Sequence, residues 1–371
     1  MLIPSRRWPL IAAIVVLIVH GAAVLTLGIV VPPDSVKFSR WADMLIANRF
    51  NVAATADAAD ARNLPAGMYM FFVTLVALAK LVAGAKWAMV LVAVNLIFDA
   101  VTAAILVRLV ILATRSVAAV LLAIATWLVC FDLVTWVRMP LTDVPFLLTS
   151  FAAFASLAVP KKRLVLAALL SVTALLLRPV GFLWLILLAV VYLVVSGRVS
   201  RRRVITVGLL VAALTFAGHT LLVRYPERWP IAAFARSVRW DARAYQRGDV
   251  VFQRAETSHR PPSTIVDYAA ITADRFVHFF AFTAASFSRS HKLTNAAYYV
   301  PLYLLAIVAA VRRRDDVTIL CAVIVLAVAF WHSLVIVDYD WRYRLPVLPH
   351  LIFMAACAIP STKSRLPPCD G

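Results

Sequence analysis

Two aspartates and three arginines carry the chemistry open to this sequence. Asp34 stands three residues past the first apolar run, inside Val31 to Asn51, VPPDSVKFSRWADMLIANRFN. Asp143 sits in the turn Pro140-Leu141-Thr142-Asp143-Val144-Pro145, and Arg178 opens Arg178-Pro179-Val180-Gly181. Arg342 and Arg344 flank Tyr343 just before Leu345-Pro346. A carboxylate within reach of a hydroxyl can take its proton. A guanidinium holds a phosphate through two parallel hydrogen bonds. Each residue also has a plain reading: Asp34 as a helix N-cap in a solvated loop, and the others as interfacial charges that snorkel to water. The functional reading gains from the set rather than from any one member, because charges this close to hydrocarbon normally face one another or a polar cavity.

What must position them is a membrane bundle. The chain of 371 residues is 63% hydrophobic and only 15% charged, with a mean hydropathy of +0.90. A soluble domain is roughly 45–50% apolar and about 25% charged. The net charge of +19 comes from short basic clusters between apolar runs, which is how topology signals and contacts to anionic membrane lipids look, and not nucleic-acid binding. Four scattered cysteines (Cys130, Cys321, Cys357 and Cys369) form neither a disulfide framework nor a zinc pattern. The N-terminal apolar run, Trp8 to Val31, is too long for a signal peptide and is read as a retained first span.

Arg6-Arg7, Lys161-Lys162-Arg163, Arg198 with Arg201-Arg202-Arg203, and Arg312-Arg313-Arg314 should face the cytoplasm. An even number of crossings then separates each cluster from the next. Of the segments 8–31, 65–84, 86–107, 117–135 and 141–159, one must not cross. We assign 65–84, which opens with Pro65-Ala66-Gly67, as juxtamembrane or re-entrant. Two short spans turn at Arg178, and 204–223, 295–311, 317–337 and 345–360 complete about ten crossings of roughly 20 residues each. The expected fold is thus all-α and integral to the membrane, one polytopic domain over 1–371. Its first outer loop, 31–86, carries juxtamembrane helices, and its long outer loop, 224–294, carries an interfacial helix over Ile265 to Phe287. Phe38, Trp41, Leu45 and Ile46 lie opposite Lys37, Arg40, Asp43 and Asn48, so the first loop holds an amphipathic helix lying on the bilayer. This topology gathers Asp34, Asp132, Arg138, Asp143, Arg178, Asp338, Asp340, Arg342 and Arg344 on the outer face.

In that order the pieces resemble the GT-C superfamily of membrane glycosyltransferases, including protein O-mannosyltransferases and lipid A aminoarabinose transferases. The resemblance rests on Pro33-Asp34-Ser35 after the first span and on Leu64-Pro65-Ala66-Gly67-Met68-Tyr69. It continues through Leu141-Thr142-Asp143-Val144-Pro145, Arg178-Pro179-Val180-Gly181 and Arg342-Tyr343-Arg344-Leu345-Pro346. Ser35 stands where the family often has a second acid. The resemblance implies an inverting sugar transfer from a polyprenyl-phosphate sugar to a glycan, lipid or protein acceptor at the periplasmic face of a bacterial inner membrane. Asp34 would be the base, and Asp143 a second acid that positions a substrate or a divalent cation. Arg178, Arg342 and Arg344 would hold the lipid phosphate, with Tyr343 beside them and Lys80 and Lys86 as alternates. One cation between Asp34 and Asp143 is open, although oxygen-ligand sites take more donors than the sequence supplies there.

Asp99 lies in mid-span with Asn95 one turn before it and is read as a paired structural acid. The histidines show no metal spacing, and no P-loop or dinucleotide motif occurs. The rival reading is a secondary transporter or lipid flippase. Such proteins usually show internal repeats and charges near the bilayer midplane.

Overall fold

The first helix shows why the chain needs lipid around it. In α1 (Trp8–Leu27) only Ala12, Val16, His20 and Val24 are buried, a single stripe at four-residue spacing. Leu10, Ile18 and Leu25 on the other faces are exposed, Leu25 by 87%. A helix apolar all round but buried on one stripe is a span packed on one side and facing lipid on the other. In this computed structural model the described residues are 7–60, 69–159, 163–178, 180–197, 206, 265–283, 287–313, 315–335 and 341–360. All regular elements among them are helical.

The helices that follow are α2 (Pro33–Ala47), α3 (Val52–Asp60), α4 (Met70–Ala83) and α5 (Trp87–Thr114), with a 3-10 turn, Gly84–Lys86, joining the last two. Then come α6 (Val117–Leu128), α7 (Phe131–Val137), α8 (Asp143–Ala158), α9 (Leu164–Leu177) and α10 (Gly181–Val195). The remainder are α11 (Ile265–Phe279), α12 (Arg289–Arg312), α13 (Asp316–Val335), a 3-10 turn Trp341–Val347, and α14 (Leu348–Cys357). They divide into two units. The first is Met1–Val191, Tyr298–Ala322 and Leu345–Gly371, and the second is Tyr192–Ala297 and Val323–Arg344.

In the first unit α5, 28 residues and so about 42 Å long, is the post around which α1, α4, α6, α8 and α14 pack. Helices α8 and α14 are buried on every side. Association in lipid relies on close backbone approach, and α8 offers Ser150, Ala152, Ala153, Ala155 and Ser156 for it. Thr149, Ser150 and Ser156 return their hydroxyls to carbonyls one turn back, at 2.9, 2.7 and 2.8 Å. These three hydroxyls of α8 are thereby satisfied within their own helix.

Among the described residues, four helical stretches are long and apolar enough to cross a bilayer, five if the bent pair α6–α7 counts as one span. The chain is therefore a helical membrane protein, and the expected ten crossings are finer than these helices carry. α8, α9 and α10 have 16, 14 and 15 residues, or about 21–24 Å, against a hydrocarbon core of about 30 Å. The last apolar segment, 345–360, forms only the 10-residue α14. The expected break-free span 117–135 bends by 55° between Leu128 and Phe131. The interfacial helix expected to reach Phe287 ends at Phe279. Segment 65–84 becomes the 14-residue α4. The motif 64–68, the span 204–223 apart from Thr206, the loop 224–264, the clusters Lys161-Lys162 and Arg201–Arg203, Arg314, and Asp338 with Asp340 lie outside the described residues.

α2 forms as its periodicity demands and buries Ser35, Phe38, Trp41, Ala42 and Leu45. The apolar face does not lie on lipid as expected; it packs on α4. Phe38 meets Phe72 at 5.2 Å and Tyr69 at 5.3 Å between ring centroids.

Candidate functional site

Asp34 occupies the first turn of α2. Pro32 is extended (φ −72°, ψ 167°) and Pro33 is pre-set for the first helical position. An acid in that turn also suits the positive end of the helix dipole. One carboxylate oxygen of Asp34 accepts a hydrogen bond from Lys37 Nζ at 2.8 Å, and the two side chains are 35% and 31% exposed. The next residue is locked down: Ser35 is fully buried, and its hydroxyl donates to Pro140 O at 3.0 Å.

Pro140 belongs to a strip held from three sides. Arg138 donates to Leu27 O at 2.6 Å and Gly28 O at 2.7 Å, satisfying carbonyls at the end of α1. Asn95 of α5 donates to Met139 O at 2.8 Å. Ser35 supplies the third tie. Arg138, expected to face an outer cavity, is thus a helix cap. The strip leads directly into α8, whose first residue is Asp143.

Asp143 is 3% exposed and accepts a hydrogen bond from Arg178 Nη1, itself in a residue 8% exposed. Arg178 closes α9 in extended conformation (φ −147°, ψ 140°), and Gly181 N returns to Arg178 O at 2.8 Å. Gly181 must be glycine. A Cβ there would meet the Leu175 backbone at Cα and approach Ala174 O to 2.6 Å. The guanidinium also lies 5.8 Å from the Phe146 ring, and Phe146 meets Trp184 edge-on at 6.1 Å. The sequence reading set Asp143 and Arg178 to separate tasks, acid and phosphate ligand; the structure joins them as one buried pair.

Lys80 is likewise engaged. Its ammonium donates to Asp43 at 2.6 Å and to Ser39 O at 3.0 Å, tying α4 to α2. Lys86 is exposed in the turn before α5. Asp132 accepts from Tyr299 OH. In the second unit Arg344 is 2% exposed and donates to Ala281 O at 2.8 Å. Arg342 lies 5.1 Å from the Tyr343 ring and donates to its hydroxyl at 3.2 Å. Tyr343 stacks on His332 at 4.8 Å, and His332 on Phe279 at 6.0 Å. Buried Arg275, expected only as a polar residue of the interfacial helix, donates to Ser333 O at 3.3 Å. Arg342 and Tyr343 therefore join His332 and Phe279 in one row of ring contacts.

A divalent cation fits poorly between Asp34 and Asp143. Both carboxylates already meet a cationic side chain, and no three His, Cys, Asp or Glu side chains gather among the described residues.

Asp99 is the paired acid that its mid-span place calls for. It accepts from Trp127 Nε1 at 2.9 Å and meets His20 Nδ1 at 2.6 Å. His20 Nε2 donates to Leu128 O at 3.2 Å. One further proton lies on the His20–Asp99 contact, so the pair is neutral in sum whichever residue holds it. Asn95 shares the buried face but not these bonds. The signal for His20 was available: an ionisable residue inside an apolar span needs a partner.

No protein-family model matches this chain, and neither a curated protein nor a solved structure matches it.

Proposed function

We infer that the chain is a membrane glycosyltransferase that moves a sugar, with inversion, from a polyprenyl-phosphate donor to a hydroxyl acceptor. The observation that carries this reading is the head of α2. A partly open carboxylate, Asp34, adjoins a residue fastened to the turn that presents the buried Asp143–Arg178 pair. The acceptor O–H gives its proton to Asp34 as its oxygen bonds to the anomeric carbon from the side opposite the phosphate. The anomeric carbon–oxygen bond to phosphate breaks, and the lipid phosphate leaves with the electron pair. Asp143, neutralised by Arg178, holds geometry rather than the proton. Cations stabilise the negative charge that develops on a leaving phosphate, and Arg342, Arg344 and Tyr343 are the residues that the sequence resemblance offers for it. The reading includes about ten crossings, with α8, α9 and α10 as short spans in locally thinned bilayer, and a periplasmic Asp34. Labelling from outside intact cells should reach Val36→Cys, exposed on α2, and not Lys161→Cys.

The secondary transporter or lipid flippase reading draws on His20–Asp99, ionisable groups within apolar helices. Both are sealed among packed helices, at 1% and 0% exposure, which favours the enzyme. Purified protein in liposomes with a polyprenyl-phosphate sugar decides between them. Wild type should form glycosylated product, and Asp34→Asn should lose about 10²–10⁴-fold in rate with little change in donor KM. A folded Asp34→Asn protein within a few-fold of wild type would remove Asp34 as base.

A further inference from the structure

At the far end of α8 from Asp143, the first unit holds a second candidate site. The helix carries Asp143 at its start and Ala158 at its close, about 22 Å apart at 1.5 Å per residue. Ala158 lines a cavity of about 650 Å³, together with the last turns of α5, α12 and α14 and the residues just after α12. Its lining is largely apolar, with Leu109, Leu112 and Phe353 among the residues, and includes Arg312 and Arg313. Leu112 is 49% exposed at the rim, so the apolar wall continues onto the bundle surface.

The cations there have capacity to spare. Arg313 uses Nη1 on Ala113 O at 3.1 Å, which fixes the guanidinium at the end of α5. Its other N–H groups, and the whole exposed side chain of Arg312, make no hydrogen bond among the described residues. Asp315, the one carboxylate among the described residues of the lining, is occupied otherwise: it accepts from Thr318 N and Thr318 Oγ1, both at 2.9 Å, and caps α13. A pocket lined by two arginines together with leucine and phenylalanine fits an amphiphile with an anionic head. We propose that this cavity binds an anionic phospholipid of the surrounding bilayer, its phosphate between Arg312 and Arg313 and an acyl chain along Leu109, Leu112 and Phe353. Basic pockets between membrane helices have the chemistry to hold such headgroups. A free phosphate would leave the apolar wall unused. The proposal is independent of the sugar-transfer reading, because it concerns the opposite end of α8.

Native mass spectrometry of the full chain in neutral detergent tests it, with phosphatidylglycerol, phosphatidylcholine and inorganic phosphate as probes. Wild type should retain phosphatidylglycerol well above phosphatidylcholine, and inorganic phosphate at millimolar concentration should not displace it. Arg312→Gln with Arg313→Gln should cut phosphatidylglycerol binding roughly 30-fold, from the surface attraction of two basic charges. Arg40→Gln, which removes an exposed charge on α2, should leave it within two-fold. Should the double variant fail to fold, Ala358→Phe gives the second test: it keeps both arginines, fills the apolar part of the cavity, and should weaken both lipids together. No preference in wild type, a preference that survives the double variant, lipid binding untouched by Ala358→Phe, or displacement by phosphate alone would each overturn the proposal.

Discussion

Two helices of the first unit begin beside an aspartate paired with a cation, and the pairs differ in reach and burial. Asp34 at the head of α2 meets Lys37, one turn away, with both side chains about a third exposed. Asp143 at the head of α8 meets Arg178, 35 positions along the chain, and both are buried. An exposed local pair contributes about 0.2–1 kcal/mol and either partner can turn to a substrate. A buried pair is costly to break because the survivor is left as a bare charge in low dielectric. The same two charges therefore do different work. The α2 pair is replaceable, as a proton-exchanging acid has to be, and the α8 pair is scaffold.

The largest expected effect breaks the scaffold pair. Arg178→Gln leaves Asp143 buried without its cation and should destabilise the protein by about 3–5 kcal/mol, measured by reversible unfolding in detergent. Adding Asp143→Asn removes the stranded charge, so the double variant should recover part of that loss. If the single variant costs under 1 kcal/mol, the two pairs do not differ as argued.

The next effect acts on the turn that presents Arg178. Gly181→Ala forces a methyl against Leu175 Cα and Ala174 O, and overpacking of this kind costs about 1–3 kcal/mol. Thermal melts of Gly181→Ala and Gly181→Ser should show the loss growing with side-chain size. Equal stability in both would mean that the turn is free to move.

The contrast between the pairs was half legible in the sequence. The helical period of Phe38, Trp41 and Leu45 after Pro32-Pro33 specified α2, and the Arg-Pro-x-Gly order specified a turn at Arg178. Both are local signals, carried by residues a few positions apart. The Asp143–Arg178 bond, the Lys80–Asp43 bond and the His20–Asp99–Trp127 group join residues 28 to 79 positions apart. Composition and spacing carry no information on such distances. The bend between α6 and α7 shows the same limit. It has neither Gly nor Pro at Val129-Cys130, and His20 reaches it from another helix through Leu128 O. The covering of α2 by α4 was hidden for a related reason: an apolar stripe reads alike whether lipid or protein lies against it.

The smallest effect tests the open pair. Lys37→Gln removes the ion pair with Asp34 and the ammonium's approach to Phe38 and Trp41, at 5.2 and 5.6 Å. At exposed sites these contribute about 0.2–1 kcal/mol and about 0.5–1 kcal/mol, so the total loss should stay under about 2 kcal/mol. Screening distances fall to about 3 Å in 1 M salt, so the difference from wild type should shrink there. Arg178→Gln should keep its penalty in the same salt, since buried pairs are screened much less. Unfolding of both variants at low and high salt measures this directly. A Lys37→Gln loss above 2 kcal/mol that ignores salt would make Asp34 a scaffold acid like Asp143. The base would then have to be sought elsewhere, because a carboxylate whose cationic partner cannot be released is not free to take a proton from the acceptor.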